Sequence, residues 1–159
     1  MKKDKNGIVT DIPFLHKSCN EVNIADKIQM RDISNKLMNM YNKLNGKCLG
    51  LSAIQLGILD CAALIRFDKS KIPTVMFNPK VLKTFGKRKS NEGCISEGDV
   101  RYIVTRPILL KIEYYDVNGN KIVSWYNYKY ARIIMHEIDH MHGILLQDKG
   151  ERANVVSNA

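Results

Sequence analysis

Residues 128–143 read YKYARIIMHEIDHMHG, and inside them His136-Glu137-Ile138-Asp139-His140 sets two histidines four positions apart. Apolar residues recur at helical spacing from Tyr128 to Met141, and Gly143 closes the run. On a helix, positions i and i+4 share a face one turn apart, so both imidazoles can reach a single metal ion. Glu137, next to the first histidine, is placed to take a proton from water held at such an ion. The plain alternative is a pair of surface histidines. Such a pattern arises by chance in well under about one chain in a hundred, so a metal site is the preferred reading.

A catalytic metal with two histidines needs a third protein ligand and an open position. The pattern H-E-x-x-H-x-x-G-x-x-H is matched from His136 to Gly143, but its last position falls on Leu146. Downstream, only Glu151 offers a carboxylate of the right kind. The third ligand is therefore sought upstream. Cys94 is the candidate, within Asn91-Glu92-Gly93-Cys94-Ile95-Ser96-Glu97-Gly98, where the glycines let the backbone approach a ligand closely. A lone cysteine is more often an inert core residue. Beside a metal-ready helix, a thiolate would complete a Cys-His-His set.

Working outward, Ala25 to Leu44 carries apolar residues at helical spacing and stops at Asn45-Gly46. Its Met-rich stripe reads as core. Residues 1–20 look extended, punctuated by Pro13. Cys61–Phe67 reads as a buried strand, and Thr74–Phe77 as another that ends at Asn78-Pro79. Val100–Val104 and Ile108–Tyr115 are strand-like, and Asn118-Gly119 turns the chain into Lys121–Tyr126. Strands between two helices give an α+β class, mostly antiparallel around the helix that carries the histidines.

The chain has 159 residues, enough for one domain over residues 1–159 and too few for two comfortably. Apolar residues make up 45% and charged residues 26%, which excludes disordered, collagen-like and disulfide-scaffold classes. The four cysteines contain no Cys-x-x-Cys, which excludes a zinc ribbon, and they read as reduced thiols of a cytoplasmic protein. No signal peptide opens the chain and no apolar run is long enough to span a membrane. The formal charge of +9 suggests an anionic neighbour such as nucleic acid, a membrane surface or a ribosome, and a plain soluble basic surface is an equally good reading. The basic residues are not interleaved with aromatics, so a nucleic-acid substrate is not expected.

Three segments in order resemble one family. Gly50-Leu51-Ser52-Ala53-Ile54-Gln55 is similar to the G-L-A-A-x-Q of peptide deformylases, Glu92-Gly93-Cys94-Ile95-Ser96 to their E-G-C-L-S, and His136–His140 to their H-E-x-D-H. Pro13-Phe14-Leu15, Asn78-Pro79 and Ala131-Arg132 fit the same layout. The resemblance implies hydrolysis of the N-formyl group from N-formylmethionyl peptides, with release of formate. It implies that Cys94, His136 and His140 hold one divalent ion, natively Fe²⁺ and replaceable by Zn²⁺, Ni²⁺ or Co²⁺. Glu137 would be the general acid/base, and the Gln55 side chain and Ile95 N–H would stabilise the oxyanion. Glu92 would pair with Arg106.

An extended peptide would lie between Leu49–Gly50 and Gly93, with the glycines needed because a Cβ would collide with it. By the same resemblance, Leu49 and Ile133 would wall the methionine pocket. The chain departs from the family at Cys48 (usually Gly), Ser52 (usually Ala) and Met135 (usually Gln), and its C-terminal helix is expected to be short. No ligand, acid/base or oxyanion residue is lost. Two alternatives stay open: a weakly active or inactive homologue that binds metal and peptide, and a metallopeptidase.

Overall fold

Helix α3, Tyr128–Met141, buries Ala131, Ile133, Ile134, Glu137, Ile138, Asp139, His140 and Met141 in a computed structural model that describes residues 1–68 and 71–153. Three carboxylate or imidazole side chains on the buried face of a helix are costly unless partnered, which already marks α3 as functional. The expected helix coincides with the observed one.

The remaining elements are α1 (Ile12–Leu15), α2 (Lys27–Lys43), β1 (Gly50–Ser52), a 3₁₀ turn at Ala53–Leu56, β2 (Ala62–Ile65) and β3 (Thr74–Phe85). After these come β4 (Arg88–Gly93), β5 (Arg101–Arg106), β6 (Leu109–Tyr115), β7 (Lys121–Asn127), α4 (Leu146–Lys149) and β8 (Glu151–Arg152). They form a five-stranded sheet in the order β1-β2-β3-β6-β7 and a three-stranded sheet in the order β4-β5-β8. Every paired strand is antiparallel, as the α+β reading expects.

The sheet separates two cores because strand side chains alternate between faces. Ala62 and Leu64 of β2, with Val75 and Phe77 of β3, pack with Met30, Ile33 and Leu37 of α2. Ile65 and Met76 point the other way, to Ala131, Ile134 and Ile138 of α3. A strand covered on both faces is apolar throughout, and all four residues of β2 are buried. Helix α3 also contacts β5, so it touches both sheets.

Three sequence expectations change. Residues 1–20 are not wholly extended: Asp11 accepts a hydrogen bond from the Phe14 N–H at 3.2 Å and caps α1, with Pro13 in the first turn. Strand β3 does not end at Asn78-Pro79. The register against β6 shifts between Phe77 and Lys80, and a bulge there tolerates the missing proline N–H. Asn78 holds the kink with φ +49°, exchanging hydrogen bonds with the Val22 backbone, each 2.8 Å. Finally, Arg88–Gly93 forms a strand that its charged composition hides, and this strand delivers Glu92 and Gly93 to the site.

Candidate functional site

The α3 periodicity puts the His136 and His140 rings 5.0 Å apart by centroid. Strand β4 ends at Gly93, and the next residue, Cys94, turns its thiol onto the same point. Its Sγ lies 3.3 Å from His140 Nε2. One ligand atom from each of Cys94, His136 and His140 falls within 4.8 Å of the others. A tetrahedral ion with bonds of about 2.0–2.3 Å sets its ligands roughly 3.5 Å apart, so this set fits one cation. The second layer fits as well. His136 Nδ1 is 3.1 Å from Glu92 Oε2, which orients the ring and leaves Nε2 for a ligand.

Glu92 is itself held by Arg106, whose Nε and Nη2 donate to its two oxygens at 2.9 and 2.8 Å. Arg106 is 1% exposed, and its Nη1 donates to Asp139 Oδ2 at 2.6 Å. Lys149 Nζ completes the chain on Asp139 at 2.9 and 3.1 Å. Burial alone would raise the Glu92 pKa, but the Arg106 hydrogen bonds and His136 outweigh it and hold it at about 2. Burial disfavours charge on His136, yet Cys94 and Glu92 keep it well above the usual histidine range. Burial and the neighbouring His136 hold His140 well below it.

Glu137 is buried and its Oε2 has no hydrogen-bond partner. Burial is the main reason its pKa is pushed up to about 7, with His136 opposing. His140 Nδ1 is likewise buried and unpartnered. Gln55 comes from the 3₁₀ turn after β1. The Ser52 N–H donates to Gln55 Oε1 at 2.9 Å, which fixes the amide so that Nε2 faces the site. There it lies 3.1 Å from Ser96 Oγ and 3.6 Å from Cys94 Sγ. The Ile95 side chain is 36% exposed, beside Cys94, and its backbone N–H makes no hydrogen bond among the described residues.

Two free strand edges border the cleft. Among the described residues β1 pairs only with β2, and β4 only with β5, so each leaves one edge unpaired there. Leu49, Gly50, Gly93, Ile133 and His136 line the cleft of about 590 Å³ between them. The structure gives a glycine at position 50 a reason beyond the expected one. A Cβ there would sit 2.9 Å from Glu137 Cγ and Cδ and closer still to Oε1. Glu137 fills the space that a side chain would need. At Gly93 a Cβ would meet only the flexible Arg101 guanidinium, at 3.1 Å.

The sequence reading gave no role to Asp139, Ser96 or Lys149. The first two lie inside the quoted motifs, where a polar residue on a buried face was a usable signal. Lys149 carried no such signal. Cys48 lines the cleft, and burial pushes its thiol up to about 11, with Glu137 adding to the shift.

Fold and site together set a possible Cys/His/His metal site beside an H-E-x-x-H helix. The polypeptide deformylase family model matches residues 7–155. A peptide deformylase of Flavobacterium psychrophilum is 36% identical, covering 86% of this chain and 77% of its own. Peptide deformylase 1 of Clostridium acetobutylicum is also 36% identical, over 86% and 87%. Among solved structures, a Synechococcus elongatus peptide deformylase in complex with actinonin superposes with a TM-score of 0.81. It is 29% identical and covers 94% of this chain and 84% of its own. The chain belongs to the polypeptide deformylase family, whose members are hydrolases acting on a linear amide.

Proposed function

We propose that this chain removes the N-formyl group from N-formylmethionyl peptides at a divalent ion held by Cys94, His136 and His140. The observation that carries the reading is the closeness of those three ligand atoms, within 4.8 Å, beside the buried carboxylate of Glu137. A divalent ion there supplies a Lewis acid that makes water acidic enough to attack an amide near neutral pH. Glu137 takes the proton of the attacking water and delivers it to the leaving amine. Gln55 Nε2 and the Ile95 N–H are the donors for the oxygen that becomes negative; in comparable sites each such donor is worth about 3–4 kcal/mol. Glu92 and Arg106 keep His136 in one orientation.

The peptide lies extended between Leu49–Gly50 and Gly93 and pairs with the free edges of β1 and β4. Its methionine enters a pocket walled by Leu49 and Ile133, with His136 beneath. Fe²⁺ is the native ion in this reading, and Zn²⁺, Ni²⁺ or Co²⁺ can replace it; a thiolate ligand suits such soft-leaning ions. One domain, residues 1–159, does all of this in the cytoplasm. The charge of +9 supports docking to the anionic ribosome, where nascent chains emerge. Among the described residues no helix is long and apolar enough to cross a membrane.

Glu137→Gln tests the assignment. Glutamine keeps the shape and cannot accept a proton, so metal content should be unchanged. Formate release from formyl-Met-Ala-Ser should fall by about 10²–10⁴-fold. Near-normal turnover would place the base elsewhere, and cleavage of internal peptide bonds would favour the metallopeptidase reading.

A further inference from the structure

A second cavity, of about 380 Å³, adjoins the catalytic cleft and shares three wall residues with it: Leu49, Arg132 and Ile133. Among the described residues the cations around it are Arg66, Lys129 and Arg132, against one acid, Asp68, which already has an interaction of its own. Arg66 Nη1 donates to the Gly46 carbonyl at 3.0 Å, and the Lys129 ammonium lies 5.2 Å from the Tyr130 ring centroid. Arg132 is half-buried, and its guanidinium has no hydrogen bond or ion pair among the described residues. A guanidinium is always charged and offers a planar fork of donors that matches a carboxylate. An uncommitted one on the wall of a substrate cleft calls for an anionic partner.

The extended substrate fixes where that partner sits. Residues i and i+2 of a strand point to the same side, about 7 Å apart. The methionine side chain takes the wall made by Leu49 and Ile133, so the second peptide residue points away and the third returns to that wall. Arg132 lines both that cleft and the cavity beside it. We propose that Arg132 selects formylated peptides carrying Asp or Glu at the third position, two after formylmethionine. This rests on the deformylase reading, and the test separates the two.

The probes are C-terminally amidated formyl-Met-Ala-Glu, formyl-Met-Ala-Gln and formyl-Met-Glu-Ala, so that no terminal carboxylate competes. For wild type, kcat/KM should be about fivefold higher for the third-position Glu than for Gln at low ionic strength, and the gap should narrow in high salt. The Glu/Gln ratio should fall to about one in Arg132→Gln and lie between in Arg132→Lys. A ratio taken within each protein cancels any general change in activity, and thermal midpoint and metal content check the fold. Calorimetric binding of the deformylated amides Met-Ala-Glu and Met-Ala-Gln gives a second readout. A ratio near one in wild type, an unchanged ratio in Arg132→Gln, or the same preference for Glu at the second position would overturn the assignment. Formate release from none of the peptides, with a binding preference that still follows Arg132, would overturn the deformylase reading and leave Arg132 standing.

Discussion

Gly50 and Glu137 are coupled by space. The carboxylate occupies the volume next to the Gly50 Cα, so even one methyl group must push it aside. Gly50→Ala should therefore lower kcat by about 10²-fold or more while iron, nickel or zinc content stays stoichiometric. Steady-state kinetics with metal analysis checks this. A variant with normal kcat and a raised KM would return the glycine to a peptide-contact role. Gly93 makes the contrast, because only the flexible Arg101 stands near it. The motif letters marked Gly50 as needed, but the sequence did not point to Glu137 as its neighbour. Contact between a strand and a helix more than 80 positions away is not a local property of either.

The elements are tied behind Cys94, His136 and His140 by one buried ionic chain, in which Arg106 of β5 joins Glu92 of β4 to Asp139 of α3. Arg106→Met removes the cation that two buried carboxylates share, leaving Asp139 to Lys149 and Glu92 to His136, and breaking a buried pair costs about 3–5 kcal/mol. Urea unfolding of wild type and variant measures it, and a loss under about 1 kcal/mol would deny the chain a structural role. The same pair sets an acid limit. Glu92 has its folded pKa depressed, to about 2 from 4.5, so its contribution is complete above 4.5. That contribution is lost as pH falls from there through about 2. Wild-type stability should decline over that window, and Glu92→Gln should show a flatter decline.

Helix α3 was fully legible because its periodicity is strong and Gly143 ends it. Strand β4 was not, since RKSNEG has neither alternation nor β-branched residues. It is a strand only because β5 offers it a ladder from Arg88 to Gly93. β3 was read too short because Pro79 looks like a terminator, and only the bulge set by Asn78 lets the strand continue.

Across the whole molecule, a cysteine sulfur, two imidazoles and a buried carboxylate meet where two sheets and one helix converge. If the ion is Fe²⁺, oxygen should inactivate the protein by oxidising the iron and then Cys94, whereas the Ni²⁺ form should keep its activity. Half-lives in air for the two forms measure this, and equal half-lives would argue against an iron–thiolate site. The motif order in the sequence was enough to assemble Cys94, His136 and His140. What stayed out of reach were the free edges of β1 and β4 and the cavity behind Arg132, which exist only once the strands are paired.

The most direct measurement is metal content and formate release on one anaerobically purified sample, wild type beside Cys94→Ala and Cys48→Ala. Wild type should hold about one divalent ion per chain and release formate rapidly from formyl-Met-Ala-Ser. Cys94→Ala should do neither, and Cys48→Ala should retain the metal. Stoichiometric metal in Cys94→Ala, or a fully loaded wild type that releases no formate, would contradict it.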